Sequence, residues 1–151
     1  MLELDALTVS RITGDATMIS IMGITSGDDR VYAWYPAEDI TYTINVNEVA
    51  IIYRNSLGKR PFRWSYPSQI PDITYFFRVL SISQLKLRQA SERLIELFDK
   101  TSMDSDNWSA KWIELTGYAD GMNEGSPSQP IVSKNVTFAF SIVVKKGVVI
   151  G

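Results

Sequence analysis

The sequence predicts an α+β domain: a largely antiparallel sheet, one long amphipathic helix packed on one face, and a short N-terminal helical pair. Residues 83–100 repeat apolar side chains at steps of three and four, as a helix docked on a sheet does. Residues 136–145 alternate in the manner of a half-buried strand. Because helices and strands are segregated along the chain, we expect a single domain over residues 1–151.

The N-terminal residues 2–23 predict two short helices, since their apolar side chains recur at helical spacing. Gly14 interrupts the first helix, and Asp15 is a suitable N-cap for the second. Gly23 is placed to end it, because glycine accepts the left-handed backbone of a helix C-cap.

The first strands are predicted from β-branched and aromatic runs. Residues 30–35 form a short strand that ends at Pro36, residues 42–53 hold one or two strands, and residues 73–80 hold another. The helix follows from about Ser83, and we expect Ser81 or Ser83 to cap it. Its apolar stripe is typical of a face that docks on the sheet; it consists of Leu87, Ala90, Leu94, Leu97 and Phe98.

The C-terminal third alternates between polar segments and strands. We expect a polar loop at residues 101–107, a strand at 110–119, and a mobile Gly/Ser/Pro-rich segment at 120–130. In the last strand, Val136, Phe138 and Phe140 share one face with Ile142 and Val144.

Composition excludes several kinds of chemistry. The chain has no Cys and no His, which removes disulfides, thiolate metal sites and histidine-dependent catalysis. The formal charge of −2 argues against a general nucleic-acid binder. The acidic pair at Asp104 and Asp106 fails as a calcium loop, and no phosphate-binding glycine motif occurs. We therefore predict no enzyme and no catalytic, cofactor-binding or metal-binding residues; an enzyme with paired carboxylates is a remote alternative.

Residues 54–72 are the one stretch with a functional signal, because basic and aromatic residues are interleaved there. Three interpretations stay open: a protein-binding loop, a single-stranded nucleic-acid site, or a hairpin loop whose aromatic side chains pack on the sheet. The nucleic-acid interpretation uses Arg54, Lys59, Arg60, Phe62, Arg63 and Trp64.

The order of features resembles the tail terminator (tail completion, minor tail) proteins of long-tailed bacteriophages. The most specific parts are the Gly-Asp-x-x-h-x-x-h-h-Gly step at residues 14–23 (h, apolar) and the Arg-Val-Tyr-x-x-x-Pro step at residues 30–36. The Tyr-Phe-Phe-Arg-Val strand, the long helix and two final strands follow in the same order. Family members often have a Pro-Tyr-Val type strand after the first Pro, and the matching region here, residues 48–53, lacks that Pro.

The resemblance implies a structural virion protein without cofactors. Such subunits form a hexameric ring that caps the head-proximal end of the tail tube, stops its polymerisation and joins the tail to the head connector. DNA passes through the lumen without sequence-specific binding, and the slight negative charge agrees with this. A phage neck or head-closure protein is the alternative in the same class; a single-stranded nucleic-acid-binding module is the alternative from another.

Ring assembly requires one surface patch to meet a different patch on the neighbour, and edge strands are natural candidates. We expect the interface in two places, the 60–66 segment and the final strand, Val136 to Lys146. We expect assembly in the host cytoplasm and a place in the tail–neck region of the virion, with no membrane contact, because no long apolar run exists. The candidate interface residues are Arg60, Phe62, Arg63, Trp64, Tyr66, Lys145 and Lys146.

Overall fold

The computed structural model describes residues 2–23, 31–33, 49–57, 72–104, 108–121, 124–126 and 129–144. These residues form three helices and seven strands, which agrees with the predicted α+β class. The helices are α1 (Leu2–Thr13), α2 (Ala16–Met22) and α3 (Gln84–Phe98). The strands are β1 (Val31–Ala33), β2 (Val49–Leu57), β3 (Asp72–Ser81), β4 (Thr101–Asp104), β5 (Trp108–Asp120), β6 (Glu124–Ser126) and β7 (Gln129–Val144).

The strands lie in the order β1-β2-β3-β7-β5-β4, and β6 pairs with the start of β7. The pair β1–β2 is parallel and the other described pairs are antiparallel, so the prediction of a largely antiparallel sheet is confirmed. β7 is long enough to pair with β3 on one side and β5 on the other. It is therefore the central strand of the sheet.

The N-terminal helical pair forms as predicted. The side chain of Asp15 accepts a hydrogen bond from the backbone N–H of Met18 at 2.8 Å, which caps α2. Gly23 ends the helix with φ 69°, a left-handed conformation in which a side chain would be strained.

The long helix α3 begins after Ser83, whose hydroxyl accepts from the backbone N–H of Lys86 at 3.3 Å. Its predicted apolar stripe is buried at Leu87, Ala90, Leu94 and Phe98, while Leu97 is partly buried against the core. The aromatic ring of Phe98 lies 5.6 Å from the ring centroids of both Phe77 and Phe138. These contacts fix α3 across β3 and β7, on the face where α1 and α2 also pack.

Two predicted loops contain strands instead. Residues 101–104 form β4, because their main chain pairs with β5, and only Met103 among them is buried. One buried side chain leaves almost no apolar pattern for sequence analysis to detect. Within the predicted mobile segment, residues 124–126 pair with residues 129–131 through the main chain. The side chains there show no strand periodicity, so the sequence did not indicate this pairing.

Candidate protein interaction surface

The sheet face opposite the helices, here called the outer face, carries a cluster of basic, aromatic and amide side chains. Strand register places Arg54, Phe76 and Thr137 in one row across β2, β3 and β7. Arg78 and Asn135 are partners in the next row. The guanidinium carbon of Arg54 lies 4.6 Å from the ring centroid of Phe76, a cation–π contact. These five side chains, here called the outer-face cluster, surround an open cavity of about 270 Å³.

The chemistry of the outer-face cluster suits an oxyanion. Arg54 and Arg78 each carry a guanidinium group, and the amide of Asn135 and the hydroxyl of Thr137 are hydrogen-bond donors as well. The described residues that line the cavity include no carboxylate. A guanidinium binds carboxylate or phosphate through two parallel donors, and the ring of Phe76 offers an apolar surface beside them. These are residue types that proteins use to bind an acidic side chain or a phosphate group.

Sequence reasoning placed Arg54 in the nucleic-acid alternative, and the structure puts its exposed side chain on the outer face. Lys59, Arg60, Phe62, Arg63, Trp64 and Tyr66 lie in the connection between β2 and β3, outside the described residues. Lys145 and Lys146 follow β7 and also lie outside them. The assignment of the seven candidate interface residues, Arg60, Phe62, Arg63, Trp64, Tyr66, Lys145 and Lys146, stays a prediction.

The remaining members of the outer-face cluster were missed by sequence reasoning. Alternation within the predicted strand at 73–80 does place Phe76 and Arg78 opposite the buried Tyr75 and Phe77. The sequence alone does not show that β3 pairs with β7. This pairing brings Thr137 and Asn135 next to Phe76 and Arg78.

The prediction that the last strand, Val136 to Lys146, is an edge strand is wrong for residues 136–141. We expected the last strand, from Val136 onward, to lie at a sheet edge and pair between subunits. Instead Val136 pairs with Phe77 on β3 and with Tyr118 on β5. Both sides of β7 are thus occupied as far as Ser141. The strongest apolar alternation in the chain marks this inner strand because one of its faces, with Val136, Phe138 and Phe140, is buried in the core.

Another strand, β5, carries two exposed aromatic side chains, and only Tyr118 lies beyond the part that pairs with β4. On β5, Trp112 is 46% exposed and Tyr118 is 40% exposed, although both residue types are usually well covered. β4 pairs with β5 only between Ser109 and Ile113. In the part of the chain that the structure describes, the later half of β5 has a strand neighbour on the β7 side alone.

Three hydrogen-bonded polar side chains beneath α1 have a structural role: those of Asp5, Tyr75 and Asn55. Asp5 accepts hydrogen bonds from the Tyr75 hydroxyl at 2.6 Å and from the Asn55 amide at 2.5 Å. Burial, reinforced by the Asp5 carboxylate, raises the pKa of Tyr75 far above its ordinary value. The phenol therefore stays protonated and holds α1 on the sheet. Burial also raises the pKa of Tyr53, with a smaller contribution from Asp5.

Arg11 joins α1 to the turn that follows α3. Its guanidinium donates to the carbonyl oxygens of Leu97 at 3.1 Å and Ser102 at 2.7 Å, and to the hydroxyl of Thr101 at 2.9 Å. The same group lies 5.4 Å from the ring centroid of Phe98. Partial burial lowers the pKa of Arg11, but an arginine remains charged at any ordinary pH. These contacts hold α1 against the end of α3 and the start of β4.

Among the described residues, no group of three or more acidic side chains converges as a metal site would require. No described helix is long and apolar enough to cross a membrane.

No protein-family model matches the chain, and no curated protein matches it. Among solved structures, the fold is similar to a chain in the virion of a native gene transfer agent particle. The TM-score is 0.55 at 10% sequence identity, and the match covers 93% of this chain and 94% of that chain. At this identity the likeness establishes a shared fold over nearly the whole length.

Proposed function

We propose that this chain is a structural protein of a phage-like virion. The observation that supports this most is the fold shared with a gene transfer agent virion chain, which extends over 93% of the sequence. The order of sequence features, which resembles phage tail terminators, points the same way. The described geometry offers an exposed surface with an open cavity on the outer face.

Within that class, the proposed role is that of a tail terminator. Copies of the chain assemble into a hexameric ring at the head-proximal end of the tail tube, end its polymerisation and bind the head connector. DNA passes through the ring, and a net charge of −2 favours passage over retention. The role needs no catalysis and no cofactor, in keeping with a chain that has neither His nor Cys.

Binding to purified partners separates this role from that of a neck or head-closure protein. The chain is incubated with tail tubes and, separately, with head connectors, and the bound fraction is measured by sedimentation. A terminator caps tubes and blocks their further growth when free tube protein is added. A chain that binds connectors and leaves tube growth unchanged is a head-closure protein.

The outer-face cluster favours a second candidate, a single-stranded nucleic-acid-binding module. Arginine and aromatic side chains on an exposed face are the residue types that such modules use, the cation for the backbone and the ring for the bases. This candidate predicts oligonucleotide binding that weakens steeply with salt and is lost in Arg54→Ala, whereas Lys111→Ala on exposed β5 leaves it intact. No binding to a single-stranded 20-mer at low salt would eliminate it.

A further inference from the structure

Strand pairing brings the donors of the outer-face cluster within reach of one another. Arg54 is the partner of Phe76 across β2 and β3, and Arg78 lies two residues further along β3. Side chains placed diagonally in this way start about 7–8 Å apart, a gap that two arginines can span. On β7, Thr137 is the partner of Phe76, and Asn135 is the partner of Arg78. Four donor side chains therefore line one cavity beside the Phe76 ring.

The donors on β7 are not used to hold the fold together. The hydroxyl of Thr116 donates to Thr137 at 3.2 Å, but it does so to the main-chain carbonyl oxygen. Within the part of the chain that the structure describes, the side-chain groups of Thr137 and Asn135 take part in no hydrogen bond. A guanidinium has five N–H donors, so one that makes a contact within the protein still has donors for a ligand. The cluster can therefore offer several hydrogen bonds to one acceptor.

The size of the cavity and its aromatic ring favour an acidic side chain over a nucleotide. A volume of about 270 Å³ lies below the roughly 300–1,000 Å³ of sites that hold drug-sized ligands. The Arg54 guanidinium, 4.6 Å from the ring centroid of Phe76, already covers a face of the ring on which a base would stack. A carboxylate on an aliphatic stem needs less room, because its oxygens meet the guanidinium groups while its stem lies beside the ring.

The outer-face cluster is accessible from the β5 side. Gly117 pairs with Thr137, and Ala119 pairs with Asn135, so the rows of the cluster continue onto β5 through a residue without a side chain and one with a single methyl group. Ala119 is exposed, and so is Arg54 on the opposite side of the cluster. A partner can therefore approach the cavity across β5 without displacing a bulky side chain of that strand.

We propose that the outer-face cluster is a docking site for one acidic side chain, a glutamate or an aspartate, of a second virion protein. The guanidinium groups of Arg54 and Arg78 bind its carboxylate, and Asn135 and Thr137 donate to the same oxygen atoms. This inference rests on the proposed function for the source of the partner, and the site itself does not depend on ring assembly.

A pair of matched peptides tests the site directly. The probe is a fluorescein-labelled, flexible, glycine-rich peptide of about ten residues with two glutamates, and the control peptide has glutamine at both positions. Fluorescence anisotropy at low salt measures binding at protein concentrations up to about 1 mM. We expect the glutamate peptide to bind at least about tenfold more tightly than the glutamine peptide, because only a carboxylate makes charge-assisted hydrogen bonds to the guanidinium groups. Equal binding of the two peptides would overturn the proposal.

Three variants locate the binding. Arg54→Gln and Arg78→Gln each remove a guanidinium group from the cluster, and both should reduce binding of the glutamate peptide to the level of the glutamine peptide. Arg88→Gln makes the same exchange on the exposed side of α3, across the sheet, and should leave binding unchanged. Circular dichroism confirms that all three variants are folded.

A conservative variant separates specific recognition from general attraction. Arg78→Lys keeps a basic side chain but loses the planar pair of donors, so we expect it to weaken binding at least about fivefold. Unchanged binding in Arg78→Lys would contradict the two-donor contact.

The outcomes separate this inference from the function on which it rests. Equal losses in Arg54→Gln, Arg78→Gln and Arg88→Gln would overturn the site, whatever the role of the protein. A single-stranded oligonucleotide that displaces the peptide would replace the carboxylate by a phosphate ligand, and self-association that only the two cluster variants abolish would replace the partner by a second copy. A chain that binds the glutamate peptide through the cluster, yet binds neither tail tubes nor head connectors, would keep the site and overturn the proposed function.

Discussion

Asp15 links the N-terminal helices to α3, and its removal should destabilise the protein in two separable ways. Its carboxylate caps α2 through the N–H of Met18. It also accepts two hydrogen bonds from Arg93 of α3, from Nε at 2.9 Å and from Nη2 at 2.7 Å. The side chains of Arg93 and Asp15 are 27% and 16% exposed, so solvent screens the pair only in part. Arg93 also holds Glu96 at 2.8 Å.

We expect Asp15→Ala to lower the free energy of unfolding by about 2–3 kcal/mol. Loss of the helix cap contributes about 1 kcal/mol, and loss of the two-point ion pair contributes about 1–2 kcal/mol. Asp15→Asn keeps an N-cap side chain but loses the charge, so it should cost only about 1–2 kcal/mol. Urea unfolding of both variants, and of each combined with Arg93→Met, measures the two contributions.

The pH dependence supplies an independent check. The hydrogen bonds from Arg93, followed by the Met18 N–H, hold the pKa of Asp15 below its ordinary value despite partial burial. The stabilisation is therefore complete above the unfolded-state pKa of about 3.9 and declines as pH falls through the lower folded-state pKa. Asp15→Asn should remove this contribution to acid sensitivity. Equal costs for Asn and Ala, with no coupling to Arg93, would refute the assignment of two roles.

Three other substitutions test the core and its clamps. Phe98→Ala should cost about 3–5 kcal/mol, because its ring packs at the centre of the aromatic core; chemical denaturation measures it, and a cost below 1 kcal/mol would contradict the packing. Tyr75→Phe should cost about 1–2 kcal/mol, because Asp5 loses a donor at 2.6 Å; the same substitution in an Asp5→Ala background should be nearly neutral. Arg11→Lys should lower the melting temperature by about 2–6 °C, because an ammonium group cannot reach all three acceptors of Arg11. An unchanged melting temperature would show that these three hydrogen bonds contribute little to stability.

The parts of the fold that sequence analysis predicted are those with strong local signals. Gly14, Asp15 and Gly23 mark the break, cap and end of the helical pair because each has a distinct backbone preference. The stripe ending at Phe98 is periodic because one face of α3 is buried. In the described part of the last strand, Val136, Phe138 and Phe140 are buried as their alternation indicates.

The parts that could not be predicted depend on long-range pairing. β4 forms at an edge with a single buried side chain, Met103, so its sequence is as polar as a loop. The outer-face cluster assembles from three strands whose order, β2-β3-β7, no local pattern encodes. The position of β7 is the clearest case, because strong alternation shows that one face is buried but says nothing about whether its sides are paired.

The mass of the protein in solution, with and without tail-tube protein, tests ring assembly most directly. By light scattering, we predict a species of about six subunits, either free in solution or formed when the tube is present. The ring would be contradicted by a protein that stays monomeric at every concentration and does not bind the tail tube. Binding of the same monomer to oligonucleotides would instead establish the nucleic-acid module.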